Sequence, residues 1–169
     1  NSRIVAATIA GRDSTSLQDL RQRQIDQISG IVPLRQIPRD NGTIALYSTS
    51  GAPLVDGKAS QFGFEATRAI SAEMNITDGP LSGLTMNGRA MNTGENGLLA
   101  GGSLTAQFAV RDVLAPEAQA KLDGLTRDLV ERFQASGLDP TLASGAAGLF
   151  TDGGGAFDPL DETGLSSRL

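Results

Sequence analysis

The sequence predicts an α+β fold in which long amphipathic helices pack as a small bundle beside an antiparallel β-meander of short strands. Three observations carry this expectation. Apolar residues recur at helical spacing over 16–30 and again over 103–136. Between these stretches the period changes to alternation and is punctuated by turn dipeptides. The core has to be mainly aliphatic, because aromatics make up only 4% of the 169 residues while Gly alone supplies 21.

In chain order, residues 1–10 (Asn-Ser-Arg-Ile-Val-Ala-Ala-Thr-Ile-Ala) read as the end of a helix, and Gly11 with Asp13-Ser14-Thr15-Ser16 breaks it. Ser16 followed three positions later by Asp19 is close to a capping box, with Asp shorter than the preferred Glu. Leu17, Leu20, Ile28 and Ile31 then share one face of a helix over 16–30, with Ile25 at its margin. Pro33 and Pro38 cannot lie inside a helix and suit edge or irregular strand positions. Asp40-Asn41-Gly42 predicts a hairpin turn, since Asn-Gly readily supplies positive φ. Thr43–Ser48, Pro53–Val55, the Phe62/Phe64 pair, the alternating Ile70, Ala72, Met74 and Ile76, and Leu84 with Met86 continue the meander. Turns are expected at Ser50-Gly51, Asp56-Gly57 and Asp78-Gly79-Pro80.

Residues 88–102 form a Gly-rich loop, after which Ser103 caps a long helical stretch. At about 100° per residue, Leu104, Phe108, Leu114, Ala118, Leu122, Leu125, Leu129 and Phe133 form one stripe. Pro116 predicts either a kink or a boundary between two helices. Gly137 marks the expected stop, and 137–169 reads as an extended Gly-rich surface segment. The expected organisation is therefore a helical, rod-like part from 1–31 and 103–136, a β-meander lobe over 32–87, the loop 88–102 and the surface segment 137–169. Leu17, Leu20, Ile28, Leu122, Leu125, Leu129 and Phe133 are the expected shared helical core.

Composition excludes much chemistry. The chain has no His, Cys or Trp, so neither Ser-His-Asp nor Cys-His catalysis is available, nor the usual zinc, haem or iron–sulfur ligand sets. A general base would have to be a carboxylate or one of two lysines, Lys58 and Lys121. The net charge of −5 disfavours nucleic acid. No apolar run approaches the length of a membrane-spanning helix. With no Met at the start and no signal-like opening, the sequence is expected to be an excerpt of a longer chain.

Several motifs fail on inspection. Gly51 to Ala59 approaches a phosphate-binding loop but has five residues between its glycines, ends in Ala59 rather than Ser or Thr, and loses an amide at Pro53. Asp152, Asp158, Asp161 and Glu162 around Gly153-Gly154-Gly155 could offer oxygens to Ca²⁺, yet their spacing matches no EF-hand. Asn41-Gly42-Thr43 and Asn75-Ile76-Thr77 fit the glycosylation sequon while serving turn and strand roles. With nineteen carboxylates, pairs suited to glycoside hydrolysis arise by chance. No catalytic, cofactor-binding or metal-binding residue is assigned, and no cofactor is expected. The alternative from another class is a secreted adhesin or carbohydrate-binding β module using Tyr47, Phe62 and Phe64.

Read in order, the segments resemble the first hook-associated protein family of the bacterial flagellum. The resemblance rests on Leu17-Gln-Asp19-Leu-Arg21-Gln-Arg-Gln-Ile25-Asp-Gln-Ile28, then Asn41-Gly42-Thr43, then Pro53-Leu54-Val55-Asp56-Gly57. It continues with Gly102-Ser103-Leu104, Phe108-Ala-Val-Arg111-Asp112, Leu122 through Leu125 and Leu129 to Phe133, Gly145 to Phe150, and Gly164-Leu165 with Arg168. Gln22 and Gln134 depart from the family pattern, which favours an acid and Asn there. The resemblance implies a structural, non-enzymatic subunit of the hook–filament junction, and a central portion without the terminal helical regions that pack into the axial core. It implies as partners the hook protein, the second junction protein, copies of itself and an export chaperone acting through a terminal region. It also implies flagellar type III export and an extracellular location, which the absence of Cys suits.

Overall fold

The computed structural model describes residues 1–77, 79–135 and 139–169. Asp78 in one expected turn, and Gly137, the expected helix stop, lie outside the described residues. The architecture is mixed α+β, with two compact units: 1–66 with 82–110, and 67–81 with 111–169.

In the first unit, helix α1 covers Ser2–Ile9 and α2 covers Thr15–Ser29. The N-cap of α2 is Ser14, and the carboxylate of Asp13 supports the start by accepting from the Thr15 amide at 3.0 Å and its hydroxyl at 2.7 Å. The expected start at Ser16 is thus two residues late, because this Asp13 turn closes first. Strands β1 (Leu34–Pro38), β2 (Ile44–Ser48), β3 (Pro53–Asp56) and β4 (Lys58–Ala59) form an antiparallel sheet in that order. The β1–β2 hairpin turns at Asp40–Gly42, where Asn41 takes φ 55°. The stretch that approached a phosphate loop is the β3–β4 hairpin, with Gly57 in its turn.

A second sheet contains β5 (Phe62–Gly63), β6 (Thr85–Met86) and β7 (Arg89–Ala90). Two small sheets therefore replace the single expected meander. Its segment around Ile70, Ala72, Met74 and Ile76 is not a strand, although its alternation is regular. The side chain of Asn75 accepts from the amides of Thr77 (2.9 Å) and Gly79 (3.2 Å), and Met74 donates to the Ser71 carbonyl. Local turns have taken backbone groups that a ladder would need, and both Ile70 and Ile76 are left exposed.

The core of this unit gathers Ile25, Val32, Leu46, Ala52, Leu54, Leu84, Leu99 and Phe108. Two links fix it. The buried Ser48 hydroxyl donates to the Leu98 carbonyl and accepts from the Ala52 amide at 2.9 Å, tying β2 to the Gly-rich loop. Helix α3 (Ser103–Ala109) begins against the end of α2: the amides of Ser103 and Leu104 donate to the carbonyls of Gly30 and Ile31, both at 3.2 Å. Orphan donors of one helix thereby meet orphan acceptors of another. The junction needs Gly102, since a Cβ there would sit 2.2 Å from the Ile31 oxygen.

The second unit is organised on α4 (Ala115–Gln134), reached from α3 through a π-helical segment at Val110–Leu114. Pro116 cannot donate to the carbonyl four residues back and its ring crowds it, so a widened turn just before the proline accommodates the ring without a break in helical φ/ψ at Val110 and Leu114. Beside that turn, Arg111 grips its neighbour Asp112 with Nε at 2.6 Å and Nη2 at 3.0 Å.

Segment 139–169, expected as extended surface chain, instead folds onto α4. Val130 and Leu165 are fully buried, and Phe133 meets Phe150 edge-on with ring centres 4.9 Å apart. The chain passes so close at Gly148 that a Cβ would lie 2.4 Å from the Phe133 oxygen. Arg168 holds the tail together through Asp152 at 2.6 Å and the carbonyls of Thr163 and Asp161.

Candidate assembly surface

Of the residues expected as helical core, Leu20, Ile28, Leu122 and Leu125 are exposed, and these positions mark the candidate site. On α4, Asp123, Thr126 and Val130 lie at i, i+3 and i+7 and are the buried face. The leucine stripe lies about a quarter-turn away. Leu122 is 54% exposed and Leu125 69% exposed, Leu114 and Ala118 are exposed as well, and Leu129 and Phe133 are half-buried. The helix thus has two packing faces, one covered by its own tail and one open.

Asp123 anchors the covered face. Its Oδ2 accepts from the Gly164 amide at 2.8 Å, and its Oδ1 from the Ser166 amide and from Gln119 Nε2, both at 2.8 Å. Burial alone would raise this carboxyl's pKa, but the Ser166 and Gly164 groups and Gln119 together hold it below the usual carboxylate range. At 3% exposure it is a buried anion satisfied by main-chain donors. Gln119 also donates to the Ser166 hydroxyl at 2.8 Å, and Arg127 pairs with Glu162 at 2.9 Å. None of this was assigned from the sequence, where an Asp in mid-helix reads as solvated surface.

In the first unit, α2 repeats the pattern. Its buried residue is Ile25, at 4% exposure, which the sequence placed at the margin. Leu20 and Ile28, expected inside, are exposed, and Leu17 is half-buried. Two shallow concavities flank this face. One, of about 340 Å³, lies between α1 and α2 and is lined by Ile4, Leu17, Leu20, Arg21 and Gln24. The other, of about 210 Å³, has Ile28 and Ile44 among its walls. Arg21 stiffens the boundary between them by donating to the Gly42 carbonyl (2.8 Å) and Asn1 Oδ1 (3.1 Å), while Asn1 bonds the Ile44 main chain in both directions.

Several residues considered for other functions are engaged elsewhere. Asp152 is held by Arg168, Glu162 by Arg127, and Asp158 accepts from the Leu160 amide at 2.9 Å. No group of three or more metal-ligating side chains converges among the described residues. The Tyr47 hydroxyl donates to Asp56 at 2.6 Å, a bond that raises the tyrosine pKa and, with Arg39, lowers that of Asp56. Phe64 packs edge-on against Phe108 with ring centres 5.8 Å apart. Among the described residues, no helix is long and apolar enough to cross a membrane.

Exposed apolar residues therefore lie on both α2 and α4, away from the face each helix buries. Residues 1–148 match the flagellar hook-associated protein FlgK helical domain. The chain belongs to that family, a structural family of the bacterial flagellum concerned with its assembly and with motility. No curated protein and no solved structure matches it.

Proposed function

We propose that this chain is a structural subunit of the junction between flagellar hook and filament and performs no catalysis. The observation that carries the reading is the open stripe on α4, where Leu114, Leu122 and Leu125 line one exposed helix face. In this reading the stripe, together with Leu20 and Ile28 of α2, completes a helical bundle with other helices of the axial assembly. The helices within 1–31 and 103–135 supply the assembling faces, the two small sheets between them, which extend to Ala90, supply the β portion, and segment 139–169 covers one face of α4. The partners are the hook protein, the second junction protein and further copies of the same protein, with a chaperone during type III export to an extracellular position. Membership in the hook-associated family supports this reading, as does the engagement of the tail carboxylates with arginines rather than an open cleft.

Immunogold labelling of intact flagella with antibody against this chain tests the placement. Gold confined to the boundary between hook and filament is expected. Label distributed along the filament, or absent from flagella, would assign the protein elsewhere.

A further inference from the structure

We infer that Asn41–Gly42 is a site of spontaneous covalent modification, in which Asn41 deamidates to aspartate and isoaspartate within the β1–β2 turn. The chemistry needs only water. The Gly42 amide nitrogen attacks Asn41 Cγ, a C–N bond forms, and the side-chain nitrogen leaves as ammonia carrying the displaced proton. Water then opens the resulting cyclic imide at either carbonyl, giving aspartate or its backbone-inserted isomer. A following Gly favours the ring because no Cβ obstructs the attack, and Asn is for this reason among the thermolabile residues.

Composition alone does not select the site, since the sequence has three Asn-Gly pairs, at 41–42, 87–88 and 96–97. The structure separates them. Asn87 is held at both ends of its carboxamide, accepting from the Gln61 amide at 2.9 Å and donating to the Ser60 hydroxyl at 3.3 Å. At the third pair the would-be nucleophile is engaged: the Gly97 amide donates to the Gly94 carbonyl at 2.9 Å, and Gly97 is buried. Asn41 is exposed, and its carboxamide has no hydrogen-bond partner among the described residues. Its backbone, at φ 55°, matches that of Asn87 at φ 52°, so the difference between these two pairs lies in the side-chain bonds.

The turn is not an idle one. The Gly42 carbonyl receives Arg21 of α2, and Thr43 and Ile44 follow immediately into β2. Aspartate would place a second carboxylate beside Asp40. Isoaspartate would lengthen the main chain by one carbon and carry the Gly42 carbonyl away from Arg21, loosening the contact of α2 with the hairpin.

The test is peptide mapping by mass spectrometry of the folded protein held at mildly alkaline pH. A parallel sample is held in urea, and isoaspartate is quantified with isoaspartyl methyltransferase and labelled S-adenosylmethionine. In urea all three pairs should convert at similar rates. In the folded protein the mass gain and methyl label should appear on the Asn41 peptide at least about tenfold faster than on the other two, because local structure protects those. Equal rates in the folded protein, or conversion led by Asn87 or Asn96, would overturn the assignment.

Discussion

Replacing Leu122 and Leu125 together by Gln will leave the chain folded and stop the cells that carry it from swimming. Both side chains are more than half exposed, and Gln matches Leu in helix propensity, so neither α4 nor its packing on the tail should change. Surface substitutions of this kind fall within about 0.5 kcal/mol, which at this chain length shifts the melting temperature by no more than about 3 °C. In the assembly the balance differs. Each leucine forfeits about 2 kcal/mol of apolar burial, and each buried amide without a partner costs roughly 1–3 kcal/mol more. The loss recurs in every copy of a repeating structure. A thermal melt of the chain and the swimming-ring diameter of cells expressing the doubly substituted full-length protein check the two halves. An unchanged melt with wild-type swimming would remove α4 from the assembly surface.

The opposite outcome is expected one residue away. Asp123→Ala should destabilise the unit built on α4 by about 3–5 kcal/mol, because the amides of Gly164 and Ser166 lose a charged acceptor where water cannot replace it. Asp123→Asn should cost less, retaining one acceptor oxygen while turning an N–H₂ toward the remaining donor. The pH dependence follows from the lowered pKa of this carboxyl. A group whose pKa is depressed on folding binds its proton more readily when unfolded. Its contribution is therefore fully present above the unfolded value of about 4 and is lost as pH falls through the folded one. Urea unfolding at pH 7 and again near pH 3 should show the gap between wild type and Asp123→Asn narrowing at the lower pH. A gap of the same size at both would mean that the native carboxylate carries no such stabilisation.

The paired contrast on α4 shows what a single sequence can and cannot reveal. The caps expected at Ser16 and Ser103 are instead Ser14 and Gly102. The hairpin at Asp40-Asn41-Gly42 and the helix over Thr15–Ser29 were legible because each is set by local chemistry, a positive-φ turn and a helical period. The inward faces were not. Periodicity reports every apolar contact a helix makes and does not distinguish those within the domain from those reserved for another chain. Leu122 and Leu125 were placed inside and are exposed, whereas Ile25, set at the margin, is the core residue of α2. Pro116 signalled a perturbation, and the lost amide expressed it as a π turn. The alternation from Ile70 to Ile76 misled because pairing needs a free partner strand, and Asn75 had already bound the local amides. The tail escaped notice altogether, since its docking depends on Asp123, more than forty residues upstream of the amides it accepts from in Ser166.

The most direct test of the structural role is electron microscopy of cells lacking this gene, with the culture medium assayed for free flagellin. Hooks without filaments, and flagellin lost to the medium, are the expected result. Filaments of normal length on normal hooks would contradict a place for this protein at the junction.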